Sequence, residues 1–486
     1  MIPPSRRLAL ALIAAASLAM HLKGLTTPPL DYHYHRQCNT AAIARNFHEH
    51  GLRLFQPQID WDGPNDGRAA TEFPLYMWLM GLLWPWAGLA AVWGRILSAA
   101  FSALTACYLF FLVEEDSGRR PAFWAGLLFS CLPLEIYFGR TIQPEAIALC
   151  ATVAALYHWR QALGPARPWK HWLAATACLF LAVAHKLPAA YVFAPLAWLA
   201  WERRGRAMFM DWRVWASPLL AAAGVLAWYC YAKSRGNYVV PTNPTQLQGL
   251  LNYSRIGYYM QFQFLSRFPE LAATHAGLLF LAAGAWITVR KERRMFYAVW
   301  FLSVAAALIA YGGYAFHHEY TSLPFTPVNA ALMGIGLSFL VDKAASLRPP
   351  RRGQALAGLA LLALYMPAYG MFRIKHWYRQ SFPALDKAET AAALISAPSD
   401  LFLSNERAPS VFLFAMHRRG WWVDLAQPQA ETGLDDYIRR GARFFAAEKT
   451  GIFQDRSGAT ASRFYARFPV AYDDGKLLIF RLRPQP

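Results

Sequence analysis

The sequence predicts a polytopic α-helical membrane protein of about eleven spans followed by a small α/β domain, on three observations. Of its 486 residues 56% are hydrophobic and 16% charged, whereas soluble domains carry about a quarter charged residues. Apolar windows of about 18 to 22 residues recur along most of the chain, each long enough to cross a bilayer. Beyond Met371 charge becomes frequent and no later window qualifies, so residues 1–372 read as the membrane domain and 373–486 as the α/β domain.

Spans fall near 7–25, 92–113, 122–138, 143–159, 171–185, 187–201, 214–232, 271–289, 296–315, 324–341 and 354–372. Counted alternately, they place Arg6/Arg7, Arg119/Arg120, Arg160/Arg167/Lys170, Arg203/Arg204/Arg206, Arg290/Lys291/Arg293/Arg294 and Arg348/Arg351/Arg352 on one side, the pattern of a cytoplasmic face. The formal charge of +19 is then mostly topology, with anionic membrane lipid rather than nucleic acid as its partner. Arg6 and Arg7 before an alanine-rich stretch also fit a signal peptide, but later spans need this one for their parity. Five of the six cysteines lie in or beside apolar spans and only Cys38 in a polar loop, so neither a disulfide framework nor a zinc spacing is expected.

With the N-terminus cytoplasmic in an inner (plasma) membrane, the exoplasmic side receives loop 26–91, the turn 139–143, His185–Lys186, loop 233–270, HHEY at 317–320 and the C-terminal domain. In the first loop, TAAIARNFHEHG at 40–51 has the helical spacing of an interfacial amphipathic helix. A second interfacial helix is expected after Pro74, with Trp78, Trp84 and Trp86 at headgroup level. In the C-terminal domain AETAAALISA and LDDYIRR read as helices, and DLFLS, RFFAAEK and LLIFRLR as strands.

Nearly all unusual polar residues share the exoplasmic face. Asp31, after Pro28 and Pro29, is either a base that takes a proton from an attacking hydroxyl or the cap of the helix that follows. His33, His35 and Arg36 beside it suit a phosphate. Glu72 closes the loop before Phe73 and Pro74. Arg140 and Glu145 flank the third and fourth spans and either serve a site or pair with one another. Lys186 is suited to a phosphate or snorkels to the interface. His317, His318, Glu319 and Tyr320 form a further knot, but adjacent histidines do not share a helical face, which argues against a zinc site. Together these turns suit a lipid-linked phosphate near Lys186, Arg36 or Arg255.

The segments DYHYHRQCNTAAIARNF, EFPLYMW, RTIQPEA and HHEYTSLPFTP together resemble the GT-C membrane glycosyltransferases, specifically the bacterial branch similar to protein O-mannosyltransferases (glycosyltransferase family 39) and lipid A aminoarabinose transferases. The resemblance covers most of the membrane part. It implies a sugar donor on a polyprenyl monophosphate, a glycan, lipid or protein acceptor, and inverting transfer to a hydroxyl or amine. It carries the first-loop catalytic acid onto Asp31 and the second acidic position onto Glu145. Glu72, Arg140 and the HHEY residues fall to substrate binding. Several relatives carry a lysine beside the closing proline motif where Glu72 and Phe73 stand here, so Lys186 or Arg255 would replace it. No cofactor is expected; a divalent ion on Asp31, Glu72 and Glu145 is allowed but not required. A transporter or flippase would show internal repeats and midplane acids, which the sequence lacks; a lipid-linked glycan ligase or polymerase stays open beside the transferase.

Overall fold

A computed structural model describes residues 4–86, 90–166, 168–236, 238–239, 255–291, 294–405, 410–423, 433–449 and 458–482. The chain divides into two compact units, one of Met1–Leu25, Arg95–Tyr231 and Val240–His376, the other of Thr26–Gly94, Ala232–Val239 and Trp377–Pro486.

The first unit is helical, and helices run through each stretch expected to span. Among the described residues four helices, Ala91–Ser117, Trp212–Arg235, Phe325–Ala345 and Arg351–Arg373, are long and apolar enough to cross a membrane. Ile256–Ala272 and His275–Arg290, bent by 99°, make a fifth if taken as one span. The other expected spans are shorter or interrupted for local reasons. Stretch 122–138 breaks between Arg119–Ser130 and Pro133–Phe138, and 187–201 opens with the 3-10 turn Leu187–Val192 around Pro188, because proline cannot donate to a helical ladder.

Phe325–Ala345 is the centre of this unit, buried from Phe325 through Ser338. Its glycines make that possible: a Cβ on Gly336 would lie 1.9 Å from the Phe280 carbonyl oxygen, and one on Gly334 2.5 Å from the Pro121 carbonyl oxygen. Facing it, a Cβ on Gly284 would meet the Leu332 carbonyl oxygen at 1.9 Å. Small residues thus bring His275–Trp286 and Arg119–Ser130 to backbone contact with the central helix, the usual means of helix association in lipid. Several arginines assigned to the cytoplasmic face are already neutralised: Arg6 and Arg119 pair with Glu114, Arg120 with Asp342, and Arg160 with Asp116 at 2.6 Å.

The second unit joins the first loop to the C-terminal segment. Strand β1 (Ala69–Ala70) lies parallel to β2 (Tyr238–Val239). A separate five-stranded sheet is built from β3 (Leu401–Asn405), β4 (Gly420–Val423), β5 (Ala442–Glu448), β6 (Val470–Asp473) and β7 (Leu477–Arg481), in the order β4-β3-β5-β7-β6. β3 is parallel to β4 and β5, whereas β7 is antiparallel to β5 and β6. Alternation sends Phe402, Phe444, Ala446 and Ile479 into one core and Leu403, Phe445, Ala447 and Phe480 into the other, as the two-residue strand period requires.

The first core is shared with the first loop, since Leu30 and Cys38 are buried in it beside Phe412 and Met416. The helix Tyr34–Glu49 is buried on most of its faces from Gln37 to Phe47, so the polar face expected to point outward is instead covered by protein. Its polar residues serve internal bonds: Arg45 pairs with Asp60 at 2.5 Å and donates to the Phe414 carbonyl, and Asn46 donates to Asp60 at 2.9 Å. Gly63 donates to the Gly420 carbonyl and Gly420 to that of Asp60. Gly63 has φ +61 and faces the Trp421 indole where a Cβ would clash.

Candidate active site

In the second unit Asp31 is fully buried at the entrance to helix Tyr34–Glu49. The N-cap is His33, with φ 60 and no side-chain cap bond, so Asp31 does not occupy the capping position. Its Oδ1 accepts a 2.6 Å hydrogen bond from Gln37 Nε2, which also donates to the Tyr32 carbonyl at 3.0 Å. The backbone around it is tied down on both sides: Tyr32 donates to the Trp377 carbonyl, Ser381 donates to that of Leu30, and the Tyr32 ring stacks on Trp377 at 5.0 Å. A carboxylate held by a neutral amide and a fixed backbone keeps its orientation, which a general base requires. His35 is exposed, and Arg36 is ion-paired with Glu72. The two ends of the first loop are therefore joined by opposite charges that the sequence reading assigned separately to substrate.

In the first unit Glu145 opens helix Glu145–Ala162, where the helix dipole favours an acid. Lys186 Nζ lies 2.6 Å from Glu145 Oε1 and 5.6 Å from the centre of the Tyr320 ring. Tyr320 in turn shares a 2.8 Å hydrogen bond with the Tyr314 hydroxyl and stacks on the His318 ring at 5.1 Å. The partner of Glu145 is thus Lys186 rather than Arg140. Arg140 is buried, donates to the Gly24 carbonyl at 3.1 Å and lies over the Tyr137 ring. His317 is exposed, and Arg255 is an exposed N-cap of helix Ile256–Phe262.

Arg267 escaped the sequence reading. It is buried, donates to the Ala315 and Phe316 carbonyls at 2.7 and 2.8 Å and to Gln263 at 3.1 Å, and approaches Glu319 at 3.3 Å. A lone arginine among aromatics in SRFPE, at the edge of an apolar stretch, was the available signal. In this unit, Glu145, Lys186, Glu319 and Tyr320 belong to two linked polar groups, with Arg267 holding the 315–319 turn. Among the described residues no group of three or more His, Cys, Asp or Glu side chains is arranged to hold a metal ion.

Residues 69–231 match the family described as dolichyl-phosphate-mannose-protein mannosyltransferase. No curated protein matches by sequence. Among solved structures, ArnT from Cupriavidus metallidurans bound to undecaprenyl phosphate superposes with a TM-score of 0.63 at 14% identity, over 97% of either chain. The archaeal oligosaccharyltransferase AglB from Archaeoglobus fulgidus, in complex with an inhibitory peptide and a dolichol-phosphate, gives 0.59 at 11% identity, over 95% of this chain and 71% of that one. The arabinofuranosyltransferase AftD from Mycobacteria gives 0.59 at 15% identity, over 99% of this chain and 40% of that one. The fold is the one shared by these GT-C membrane glycosyltransferases, and the matched segment covers about a third of the chain. Within that class the chain is similar to the protein O-mannosyltransferases and to ArnT.

Proposed function

We propose that this protein transfers a sugar from a polyprenyl-phosphate donor to an acceptor hydroxyl or amine at the exoplasmic face of the inner membrane, with inversion. The observation that carries the reading is the buried, oriented Asp31 carboxylate in the first loop. Asp31 takes the acceptor proton as the acceptor attacks the anomeric carbon, the glycosidic bond to phosphate breaks, and the lipid phosphate departs. Lys186 or Arg255 supplies positive charge for that leaving group. Glu145 holds Lys186 in place, and the Arg36–Glu72 pair fixes the first loop. The likeness to an ArnT structure with bound undecaprenyl phosphate supports the donor class. A divalent ion is not part of this reading.

About eleven membrane crossings, a cytoplasmic N-terminus and an exoplasmic 373–486 region complete it, supported by the alternation of basic loops. The likeness to AglB, over 95% of this chain and 71% of that one, favours one second reading, transfer of a lipid-linked glycan. The test is sugar transfer by purified protein in liposomes from monosaccharide- and oligosaccharide-charged lipid donors, with product mass as the readout. Asp31→Asn is expected to abolish transfer while its thermal melt stays within a few degrees of the parent. Full turnover by a folded Asp31→Asn variant overturns the base assignment, and product from the oligosaccharide donor alone favours the ligase.

A further inference from the structure

The start of helix Trp169–His185 and the turn 203–212 of the helical unit meet in a group of mostly exposed aromatic and basic side chains that sugar transfer does not use. Trp212 packs on Trp169 and Trp172 at 5.9 and 5.8 Å, and the Arg213 guanidinium lies 4.3 Å from the centre of the Trp169 ring. Beside it Phe209 stacks on Trp215 at 6.2 Å and touches Trp201 at 6.4 Å. Apart from the buried Trp172 these rings are exposed: Trp212 and Phe209 are each 58% exposed, and Met210 beside them is 89% exposed. Such a ridge is unfavourable in water, while tryptophan with its polar N–H suits the headgroup layer.

The charge is equally one-sided. Lys170, Arg203 and Arg206 are exposed and form no close ion pair among the described residues, Arg203 feeling the Glu115 carboxylate only at longer range, in contrast to Arg6, Arg119, Arg120 and Arg160 on the same expected face, which carboxylates contact directly. The acids of the turn are Glu202, which accepts from Trp198 at 2.5 Å, and Asp211, which accepts from the Arg213 backbone.

We propose that this ridge is a binding site for anionic phospholipid headgroups of the cytoplasmic leaflet. The aromatic rings set its depth and Lys170, Arg203 and Arg206 select a negative headgroup. Each basic side chain near an anionic surface contributes about fivefold in affinity.

The experiment is native mass spectrometry of the full-length protein in neutral detergent, offered equal phosphatidylglycerol and phosphatidylcholine, with thermal melts in liposomes of each lipid. The parent is expected to retain phosphatidylglycerol at least tenfold in excess and to melt higher in it. In the R203Q/R206Q variant the excess falls toward parity and the melting difference disappears. R120Q, which removes a paired arginine from the same face, keeps the preference. Equal retention of both lipids by the parent, an undiminished preference in R203Q/R206Q, or an equal loss in R120Q overturns the proposal.

Discussion

Removing Lys186 tests the helical unit's part of the site most directly. Lys186→Met leaves the Glu145 carboxylate, 6% exposed, without the ammonium that stands 2.6 Å away. Bare attraction at that distance is about 6 kcal/mol in an effective dielectric of about 20. Desolvation of both groups offsets much of this, and losing one partner of a buried pair costs about 3–5 kcal/mol. Because Lys186 is 19% exposed, the expected loss is at the low end, about 3 kcal/mol. Lys186→Met, Glu145→Gln and the double variant form a cycle, read by thermal melts and by transfer kinetics at varied donor concentration. The double variant should recover about 1–3 kcal/mol relative to the sum of the singles. In the kinetics Lys186→Met should raise the donor KM by more than Glu145→Gln does if, as proposed, Lys186 also meets the phosphate. Additive melts refute the pairing, and equal KM changes refute the separate role of Lys186.

Gln37→Leu removes the 2.6 Å amide bond to Asp31, and a hydrogen bond to a charged group is worth about 1.5–3 kcal/mol. Transfer at constant pH should therefore fall by roughly tenfold or more; an unchanged rate dissociates this bond from the proton transfer. His417 donates to Glu49 at 2.8 Å and to Glu389 at 3.2 Å, and the Glu49 hydrogen bond is the main cause that raises its imidazole above the ordinary 6.5. Burial pushes the Glu49 carboxyl up, but His417, Arg45 and His50 together carry it below 4.5. The His417 contribution is complete below pH 6.5 and fades as pH rises through the raised value, while that of Glu49 is complete above pH 4.5 and fades as pH falls. His417→Ala should cost about 1 kcal/mol, since the groups are half-exposed, and the loss should be largest between those limits; a melting difference independent of pH refutes the clamp. Gly336→Val forces a side chain into the Phe280 carbonyl and should cost over 3 kcal/mol, read as loss of folded protein after detergent extraction; a stable variant refutes the close helix contact.

Much of the helical unit was legible because apolar runs and basic loops are one-dimensional signals. What could not be read was which helices stay continuous, since that depends on where Pro133 and Pro188 interrupt them. Five C-terminal elements were also readable from local periodicity, whereas Val411–Met416 is apolar throughout and the strand Gly420–Val423 is four residues long, so neither shows a period. The site was legible as a set of residue types but not as pairs. Arg36 with Glu72 and Lys186 with Glu145 are joined across 36 and 41 positions, and no local pattern encodes such partners. Helix Tyr34–Glu49 misled for the same reason: its polar residues face Asp60 and the Phe414 carbonyl rather than water.

The seating of Leu30 and Tyr32 has a consequence for how the molecule is made. Their neighbours, from Trp377 and Ser381 to the strand ending at Arg481, are synthesised after every helix of the helical unit. A nascent protein with every helix inserted still lacks the surface against which its first-loop acid is set. Synthesis of the region beyond Trp377, rather than insertion of the last helix, is then the event that sets the Asp31 carboxylate in its place, and truncation within that region leaves its backbone without these supports.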